Sequence, residues 1–330
     1  MSQTPHSQDG PLVSVLALCY NHERFVTDCL DSILKQTYRN WELIVVDDCS
    51  MDNSVKVVEA WIRKNNVACK FIRHTVNQGI CGSLNDALRN ASGKYVANIA
   101  TDDMWRPNKL AGQVELLEKS GEKVGVAFGN TAMIDEHGKS LGDVYSQRLS
   151  LLGRDTIPQG DIHVELWNGN FVSTVNTLVR RSCYDVVGYY DEDLIYEDYD
   201  MWLRISRHFH FVYTMEIGAV YRVVATSMTR TRRDKMAEAK EKVFQKFLND
   251  PTVEPGTKEL ISRKYVEYLA ARHFEWRTRE RHRWIWKAAR TSGARYLVML
   301  AFSLARLSYN HYMEALLLYR RCIGALGGEK

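Results

Sequence analysis

The chain has 330 residues, of which 45% are hydrophobic, 25% charged and 11% aromatic. These proportions are typical of a globular protein with a sizeable core, and they exclude intrinsic disorder, a collagen-like repeat and a small disulfide-stapled fold. The longest apolar run, residues 296–305, is shorter than the roughly 18 residues needed to span a bilayer. Residues 1–11 are polar and contain no apolar signal-peptide core, so we expect a cytoplasmic protein with a flexible N-terminus over 1–10.

The cysteine content and the charge distribution further restrict the classes of protein that this sequence fits. The seven cysteines include no Cys-x-x-Cys pair, which argues against a disulfide framework and against a thiolate zinc site. The formal charge of +4 is unevenly distributed, because residues 256–330 hold 15 Lys or Arg and 6 Asp or Glu. A mildly acidic body is therefore joined to a basic, aromatic C-terminal region.

Strand and helix patterns alternate through the first hundred residues. Apolar runs predict strands at 12–18, 41–46, 71–72 and 95–100, and apolar residues at helical spacing predict helices over 25–34, 55–62 and 84–88. This alternation is typical of a parallel sheet with helices packed on it. We therefore predict an α/β fold with a mostly parallel central sheet flanked by helices.

The remaining chain continues this pattern and then becomes helical. Helices are predicted over 110–117 and 198–207, strands over 124–128, 171–179 and 211–224, and a hairpin turn at 135–138. Beyond residue 228 the pattern is helical except at 250–256, where two prolines interrupt it. We predict one domain over residues 11–230, which carries the functional site, and a helical, basic-aromatic region over 231–330.

Polar pairs follow three of the predicted parallel strands. They are Tyr20-Asn21 after the first strand, Asp47-Asp48 after the second and Asp102-Asp103 after the fourth. Ligands of open parallel sheets bind beyond the carboxyl ends of the strands, where these pairs would gather. Neighbouring carboxylates repel one another unless a cation holds them, and Mg²⁺ or Mn²⁺ with a nucleoside diphosphate would fit this edge. The structural alternative is that the first acidic pair caps the helix that follows it.

A second group of acids accompanies the predicted helix 198–207. Six carboxylates fall between residues 191 and 200, and Glu197 with Asp198 would occupy the first helical turn. One interpretation is a capped helix, because the helix dipole favours negative charge at that end. The other is a general base, because neighbouring carboxylates and partial burial raise a carboxyl pKa towards neutrality.

Several sequence blocks occur in a fixed order between Val13 and about Arg230. They are VSVLALCYN at 13–21, QTY at 36–38 with WELIVVDDCS at 41–50, Asn77-x-Gly79 with Asn85, Ala91-x-Gly93-Lys94-Tyr95, Thr101-Asp102-Asp103, and VGYYDE at 187–192 with EDYDMWLR at 197–204. In this order they resemble the inverting glycosyltransferases of family 2, which have the A-type nucleotide-sugar-binding fold. The resemblance implies a catalytic domain over 11–230 that uses a UDP-sugar donor with Mn²⁺ or Mg²⁺.

The resemblance also implies donor-side roles. Tyr20 would stack on or pack beside the uracil, and Asp48 would accept a hydrogen bond from the ring N–H. Asp102 would hold the ribose or the donor sugar, and Asn85 belongs to the same nucleotide- and donor-binding set. Asp103 would bind the metal that bridges the diphosphate.

Acceptor-side roles follow from the same resemblance. Asp198 would be the base that takes the proton from an acceptor hydroxyl, and Glu197 and Trp202 would lie on the acceptor side. Val224 stands where many relatives carry a histidine, so the metal would depend more heavily on Asp103, phosphates and water.

The C-terminal region interleaves arginines with aromatic residues over 270–295. This mixture is typical of segments that bind membrane surfaces, where aromatic rings insert into the interface and arginines bind lipid phosphates. The alternative is a helical subdomain that packs on the core or on a second subunit in a homo-oligomer. No nucleic-acid-reading motif accompanies the charge, so nucleic acid is not expected as a partner. We expect helices that dock on the core, with a basic face near the inner membrane surface or a lipid-linked acceptor.

The leading hypothesis is transfer of a hexose or N-acetylhexosamine from a UDP-sugar to a saccharide or lipid-linked saccharide, in surface polysaccharide or glycolipid synthesis. A P-loop enzyme and a dinucleotide-binding dehydrogenase are disfavoured, because neither glycine-rich phosphate motif is present. A sugar nucleotidyltransferase and a non-catalytic scaffold with the same fold remain as alternatives.

Overall fold

The computed structural model describes residues 10–146, 149, 156–195, 197–225, 233–275 and 284–288. Contacts between residues divide the chain into two compact units, residues 1–239 and 240–330.

The first unit is built on a nine-stranded sheet in the order β3-β2-β1-β4-β8-β6-β9-β5, with β7 paired to β6. The strands are β1 Val13–Cys19, β2 Trp41–Asp47, β3 Cys69–Arg73, β4 Tyr95–Ala100, β5 Met104–Trp105, β6 Val124–Asp135, β7 Ser140–Asp143, β8 Thr177–Arg180 and β9 His210–Val223. The pairs β1–β2, β2–β3 and β1–β4 are all parallel, as predicted. Beyond β4 the sheet is mixed, because β8 runs antiparallel to both β4 and β6.

Helices cover both faces of this sheet. They are α1 Val26–Leu34, α2 Ser54–Asn65, α3 Gly79–Arg89, α4 Lys109–Lys119, α5 His163–Leu166, α6 Arg181–Val187 and α7 Glu197–Ser206, with a 3₁₀ turn at Thr174–Asn176. The architecture is the predicted α/β fold, with a mixed sheet instead of a mostly parallel one.

The two faces are distinguished by the alternation of side chains along β1 and β4. Val15 and Ala97 belong to one buried cluster with Leu30 of α1, so α1 packs on that face. Asn98 points the other way and donates a hydrogen bond to the Tyr190 hydroxyl at 2.9 Å. Tyr190 is in turn held by Asn85 of α3, so α3 and the 190–194 segment lie on the opposite face.

The predicted strand over 171–179 is wrong in its first half. Residues 174–176 form a 3₁₀ turn, and the strand begins only at Thr177. The Thr177 hydroxyl donates to the Thr174 carbonyl at 2.9 Å, and the buried amide of Asn176 donates to the Asn130 carbonyl at 2.6 Å. Side-chain bonds of this kind compete with a strand ladder, and apolar periodicity does not reveal them.

The second unit is helical as far as it is described. Helix α8, Arg233–Asn249, begins in the first unit and continues into the second, and α9, Pro255–Glu275, follows after a gap near the predicted break. Phe244 of α8 stacks on Tyr265 and Tyr268 of α9, with ring centroids 5.1 and 5.7 Å apart. Much of the basic-aromatic segment, residues 276–283 and 289–330, lies outside the described residues. Within the described part, no helix has both the length and the apolar character needed to cross a bilayer.

The backbone at Gly93, just before β4, packs closely against the backbone at Leu12 and Ser14. A Cβ atom at Gly93 would lie 2.6 Å from the Ser14 backbone nitrogen and 2.7 Å from the Leu12 carbonyl oxygen. We expect Gly93→Ala to lower the free energy of unfolding by roughly 1–3 kcal/mol, because the backbone of β1 would have to shift. Gly121→Ala is the matched control, since a Cβ there meets nothing within 4 Å. Equal urea midpoints for the two variants would contradict this packing.

Candidate active site

Two loops at the carboxyl edge of the sheet hold strained backbone. Asn21 after β1 has φ of 58°, and Cys49 after β2 has φ of 63°. The Asn21 backbone N–H donates to the Ser50 hydroxyl at 2.9 Å, and the Met51 backbone N–H donates to the Asn21 side-chain oxygen at 2.8 Å. Left-handed backbone at non-glycine residues costs free energy and concentrates at functional sites. These loops are therefore fixed in one arrangement beside Tyr20.

Exposed apolar side chains line the same edge. Tyr20, Met51 and Val76 follow β1, β2 and β3, and they are 44%, 85% and 70% exposed. The Cys49 thiol lies 3.5 Å from the Thr75 carbonyl oxygen, which brings the β3 loop next to the β2 loop. An apolar rim of this kind at the end of parallel strands can accommodate the flat face of a base.

Asp48 lies beneath this rim and is only 6% exposed. Its carboxylate accepts the backbone N–H groups of Gln78 and Gly79 at 2.8 and 2.9 Å, and it lies 2.9 Å from Nδ1 of His74. The other ring nitrogen of His74 lies 3.1 Å from Asp86. Asp48 thus holds the start of α3, and because a carboxylate accepts about four hydrogen bonds, capacity remains for a ring N–H.

The acidic pair predicted after the fourth strand does follow β4. Asp103 is 3% exposed, and its carboxylate accepts the Arg222 backbone N–H at 2.8 Å. The Arg222 Nε donates to the Asp102 carbonyl at 3.0 Å, and Nε2 of His22 lies 3.7 Å from the Asp102 carboxylate. Burial and then repulsion from Asp102 raise the pKa of Asp103 well above its usual range. The buried Asp103 carboxyl therefore favours its protonated form, and a bound cation would favour the ionised carboxylate instead.

The donors at this pair fit a hard divalent ion, because carboxylate oxygens are the ligands that Mg²⁺ and Mn²⁺ prefer. Among the described residues, no group of three or more His, Cys, Asp or Glu side chains is arranged to hold a metal. Val224 is 7% exposed and offers no ligand. Phosphate oxygens and water would have to complete the coordination that Asp103 begins.

Glu197 and Asp198 open α7, in the first turn where the sequence placed them. One carboxylate oxygen of Asp198 accepts hydrogen bonds from the Asn170 amide at 2.9 Å and the Thr174 hydroxyl at 3.1 Å. Burial and then repulsion from Asp198 raise the pKa of Glu197 to about 8. Keeping Glu197 neutral at lower pH avoids a second negative charge beside Asp198.

The 3₁₀ turn joins the two acidic groups. Trp105, two residues after Asp103, donates its indole N–H to the Val175 carbonyl at 2.8 Å. The preceding residue in the turn, Thr174, donates to Asp198. Two hydrogen bonds through one turn therefore connect the Asp198 carboxylate to the Trp105 side chain, which follows Asp103 by two residues, although the two acids are far apart in the sequence.

Two predicted site residues lie elsewhere. The Asn85 side chain is 2% exposed, with its oxygen accepting the Tyr190 N–H and its amide donating to the Tyr190 carbonyl and to Glu192. The Trp202 side chain is fully buried, edge-on to Phe211 with ring centroids 6.1 Å apart. Asn85 therefore holds the 190–192 segment, and Trp202 supports α7 from the core.

Sequence reasoning missed several residues that support the site. Asn170, Thr174, Arg222, His22 and His74 all make contacts described above. His22 directly follows the 13–21 block and Arg222 lies two residues before Val224, so adjacency is a signal that could have identified them. Asn170 directly precedes the stretch interpreted as strand and Thr174 lies within it, and no spacing rule singles them out.

Glu197 makes stability depend on pH. The unfolded chain ionises Glu197 near its ordinary pKa of 4.5, whereas the folded protein holds the proton up to about 8. Relative to Glu197→Gln, the wild-type free energy of unfolding should therefore fall, by on the order of a few kcal/mol, as pH rises from about 5 to about 8. Chemical denaturation across this pH range measures the difference, with exposed Glu122→Gln as control. Parallel profiles for wild type and Glu197→Gln would contradict the burial of a neutral carboxyl.

Comparison with known proteins identifies the chain. The model of the family described as "Glycosyl transferase family 2" matches residues 14–159. The putative glycosyltransferase EpsE of Bacillus subtilis (strain 168) is 31% identical over 227 residues, covering 68% of this chain and 77% of EpsE. The Escherichia coli UDP-Glc:alpha-D-GlcNAc-diphosphoundecaprenol beta-1,3-glucosyltransferase WfgD is 27% identical over 246 residues, covering 74% of this chain and 89% of WfgD.

A solved structure has the same fold. The mannosyltransferase PcManGT from Pyrobaculum calidifontis, in complex with GDP-Man and Mn²⁺, matches with a TM-score of 0.62 at 20% identity, covering 97% of this chain and 88% of that one. The motifs, the sheet topology and these relatives agree: the chain belongs to glycosyltransferase family 2 and is a glycosyltransferase with the A-type fold.

Proposed function

We propose that this glycosyltransferase moves a hexose or N-acetylhexosamine from a UDP-sugar to a saccharide or lipid-linked saccharide, with inversion at the anomeric carbon. The observation that carries the proposal is the link through the 3₁₀ turn between the Asp102–Asp103 loop and Asp198. One acidic group is suited to the leaving diphosphate, and the other is suited to an acceptor hydroxyl.

The donor nucleotide would lie along the carboxyl edge of β1, β2 and β3. Tyr20 would pack against the uracil, and Asp48 would accept its ring N–H in addition to the bonds it already makes. Asp102 would accept hydrogen bonds from the ribose or the donor sugar. WfgD uses a UDP-sugar according to its name, which supports this choice of nucleotide.

Asp103 would hold Mn²⁺ or Mg²⁺ together with the diphosphate, as its carboxylate chemistry allows. Such an ion would neutralise charge that develops on the leaving diphosphate. The binding of Mn²⁺ by PcManGT supports a divalent ion in this fold. The Arg222 backbone N–H would hold the Asp103 carboxylate in one orientation, and the burial of Asp103 would keep water away from it.

Asp198 would act as the general base. It would accept the proton of an acceptor hydroxyl as that oxygen attacks the anomeric carbon, and the bond from that carbon to the diphosphate oxygen would break with its electron pair leaving on UDP. Asn170 and Thr174 fix the orientation of the Asp198 carboxylate. Neutral Glu197 beside it would contact the acceptor as a hydrogen-bond donor.

The acceptor would be a saccharide, free or carried on a lipid diphosphate. WfgD acts on a diphosphoundecaprenol-linked sugar according to its name, which supports the lipid-linked form. The basic C-terminal region would then bring the enzyme to the inner face of the cell membrane, or mediate a homo-oligomer. Partly exposed Trp286, at 51%, is compatible with either surface.

Asp198→Asn tests the base assignment. We expect the transfer rate to fall by roughly 10²–10⁴, because asparagine cannot accept the proton, while UDP affinity changes by no more than about twofold. Turnover assays that follow UDP release and calorimetric titration with UDP measure the two quantities. Asp193→Asn is the matched control, since Asp193 is an exposed acid in the same segment. Full activity in Asp198→Asn would refute the assignment.

A donor screen with Mn²⁺ present separates the proposal from its alternatives. Release of UDP from one UDP-sugar, with inverted configuration at the product's anomeric carbon by NMR, is the expected outcome. Consumption of a nucleoside triphosphate and a sugar phosphate would instead indicate a sugar nucleotidyltransferase. Nucleotide binding without turnover of any donor and acceptor would indicate a scaffold.

A further inference from the structure

A cavity of about 570 Å³ lies beside α1 and β5, on the face of the sheet opposite α3. Neither Asp103 nor Asp198 lines it. Its walls include three arginines, Arg24, Arg106 and Arg222. Cavities that bind small molecules are of this size, mostly apolar with a few convergent polar groups. This cavity has no role in the proposed transfer reaction, and its charged side chains would suit an anionic ligand.

Two of the arginines are held in place by one aromatic ring. The guanidinium carbons of Arg24 and Arg222 lie 5.0 and 4.6 Å from the centroid of the Phe25 ring. Arg222 is only 5% exposed, so its position is set by packing. Stacked guanidinium groups lose less freedom when they bind an anion, because they are already ordered.

Two carboxylates also line the cavity, and each already pairs with an arginine. Glu136 lies 3.0 Å from Arg24, and Asp28 lies 3.4 Å from Arg222. The Asp28 side chain is 59% exposed and the Glu136 side chain 33%, so water weakens both pairs. A stronger anionic acceptor can therefore displace these two carboxylates at little cost while the guanidinium groups stay in place.

Arg106 is the remaining cation of the cavity. Its side chain is exposed, and its guanidinium makes no hydrogen bond or ion pair with any residue that the structure describes. With three arginines against two carboxylates, the lining carries an excess positive charge that Arg106 supplies. Guanidinium groups bind phosphate through paired hydrogen bonds, more strongly than neutral donors do.

We propose that this cavity binds a phosphate-bearing ligand at a position separate from the donor nucleotide. Arg106 makes the primary contact, and the guanidinium groups of Arg24 and Arg222 add positive charge to the wall of the same cavity. Met104, Ile134 and Val220 also line the cavity, so a ligand with an apolar portion next to its phosphate would fit. The proposal rests on the cavity alone and does not require the transfer reaction.

Arg222 connects such a site to the loop that carries Asp102 and Asp103. The same residue donates its backbone N–H to Asp103 and its Nε to the Asp102 carbonyl. An anion held by the Arg222 side chain therefore contacts the residue that bonds the Asp103 carboxylate and the Asp102 backbone carbonyl.

Calorimetric titration of the full chain with inorganic pyrophosphate tests the proposal, in metal-free buffer with saturating UDP. We expect wild-type protein to bind pyrophosphate and Arg106→Gln to bind it at least about tenfold more weakly. Arg63→Gln, which changes an exposed arginine of α2 away from the cavity, should bind as wild type does. Arg106→Lys should lie between, because it keeps the charge and loses the paired geometry. Thermal unfolding of each variant checks that the fold is intact.

Three results would overturn the proposal: no binding by the wild type, equal binding by Arg106→Gln and Arg63→Gln, or loss of pyrophosphate binding when UDP is added. The last would place the anion in the nucleotide site. Failure of UDP to bind would count against the proposed function only, since the comparison of the arginine variants does not need UDP. A parallel titration with farnesyl diphosphate distinguishes a lipid-borne phosphate from a free one. If farnesyl diphosphate binds more tightly than pyrophosphate, the ligand is a lipid phosphate, and if the two bind equally, it is a free phosphate.

Discussion

Negative charge gathered at one edge of the sheet is the constraint around which the site is arranged. Asp102 and Asp103 follow β4, and burial with mutual repulsion makes the ionised form of Asp103 costly. The chain offsets part of this cost with the Arg222 backbone N–H, which donates to the Asp103 carboxylate. Strand β9 must therefore run back beside β5, where Val220 pairs with Met104, and the second half of the fold is tied to the acids of the first half.

The 3₁₀ turn at Thr174–Asn176 is the second feature that connects the first half of the fold to the second half. It interrupts what would otherwise be one long strand, and in doing so it offers a carbonyl to Trp105 and a hydroxyl to Asp198. The antiparallel strand β8 that follows keeps this turn at the end of β4. A mixed sheet is therefore suited to this site, because a wholly parallel one would need a further crossover to return the chain to the same edge.

The sequence predicted the parts of the site that depend on local pattern. Asp48, Asp102 and Asp103 follow buried apolar runs, and the carboxyl ends of parallel strands meet at one edge, so their grouping could be inferred. Asn85 could not be placed in the same way, because its partner Tyr190 is 105 residues away and the amide pairs with backbone atoms. Trp202 shares the helix of Asp198, but its complete burial depends on the packing of Phe211, which no spacing along α7 reveals.

The central claim is that the acids after β4 are completed by a divalent cation and a diphosphate. Calorimetric titration of UDP into the metal-free protein and into the protein with Mn²⁺, repeated for Asp103→Ala, measures this most directly. Our account predicts that Mn²⁺ tightens UDP binding by at least about tenfold in the wild type and much less in Asp103→Ala. UDP affinity that is independent of Mn²⁺ and unchanged by the substitution would contradict it.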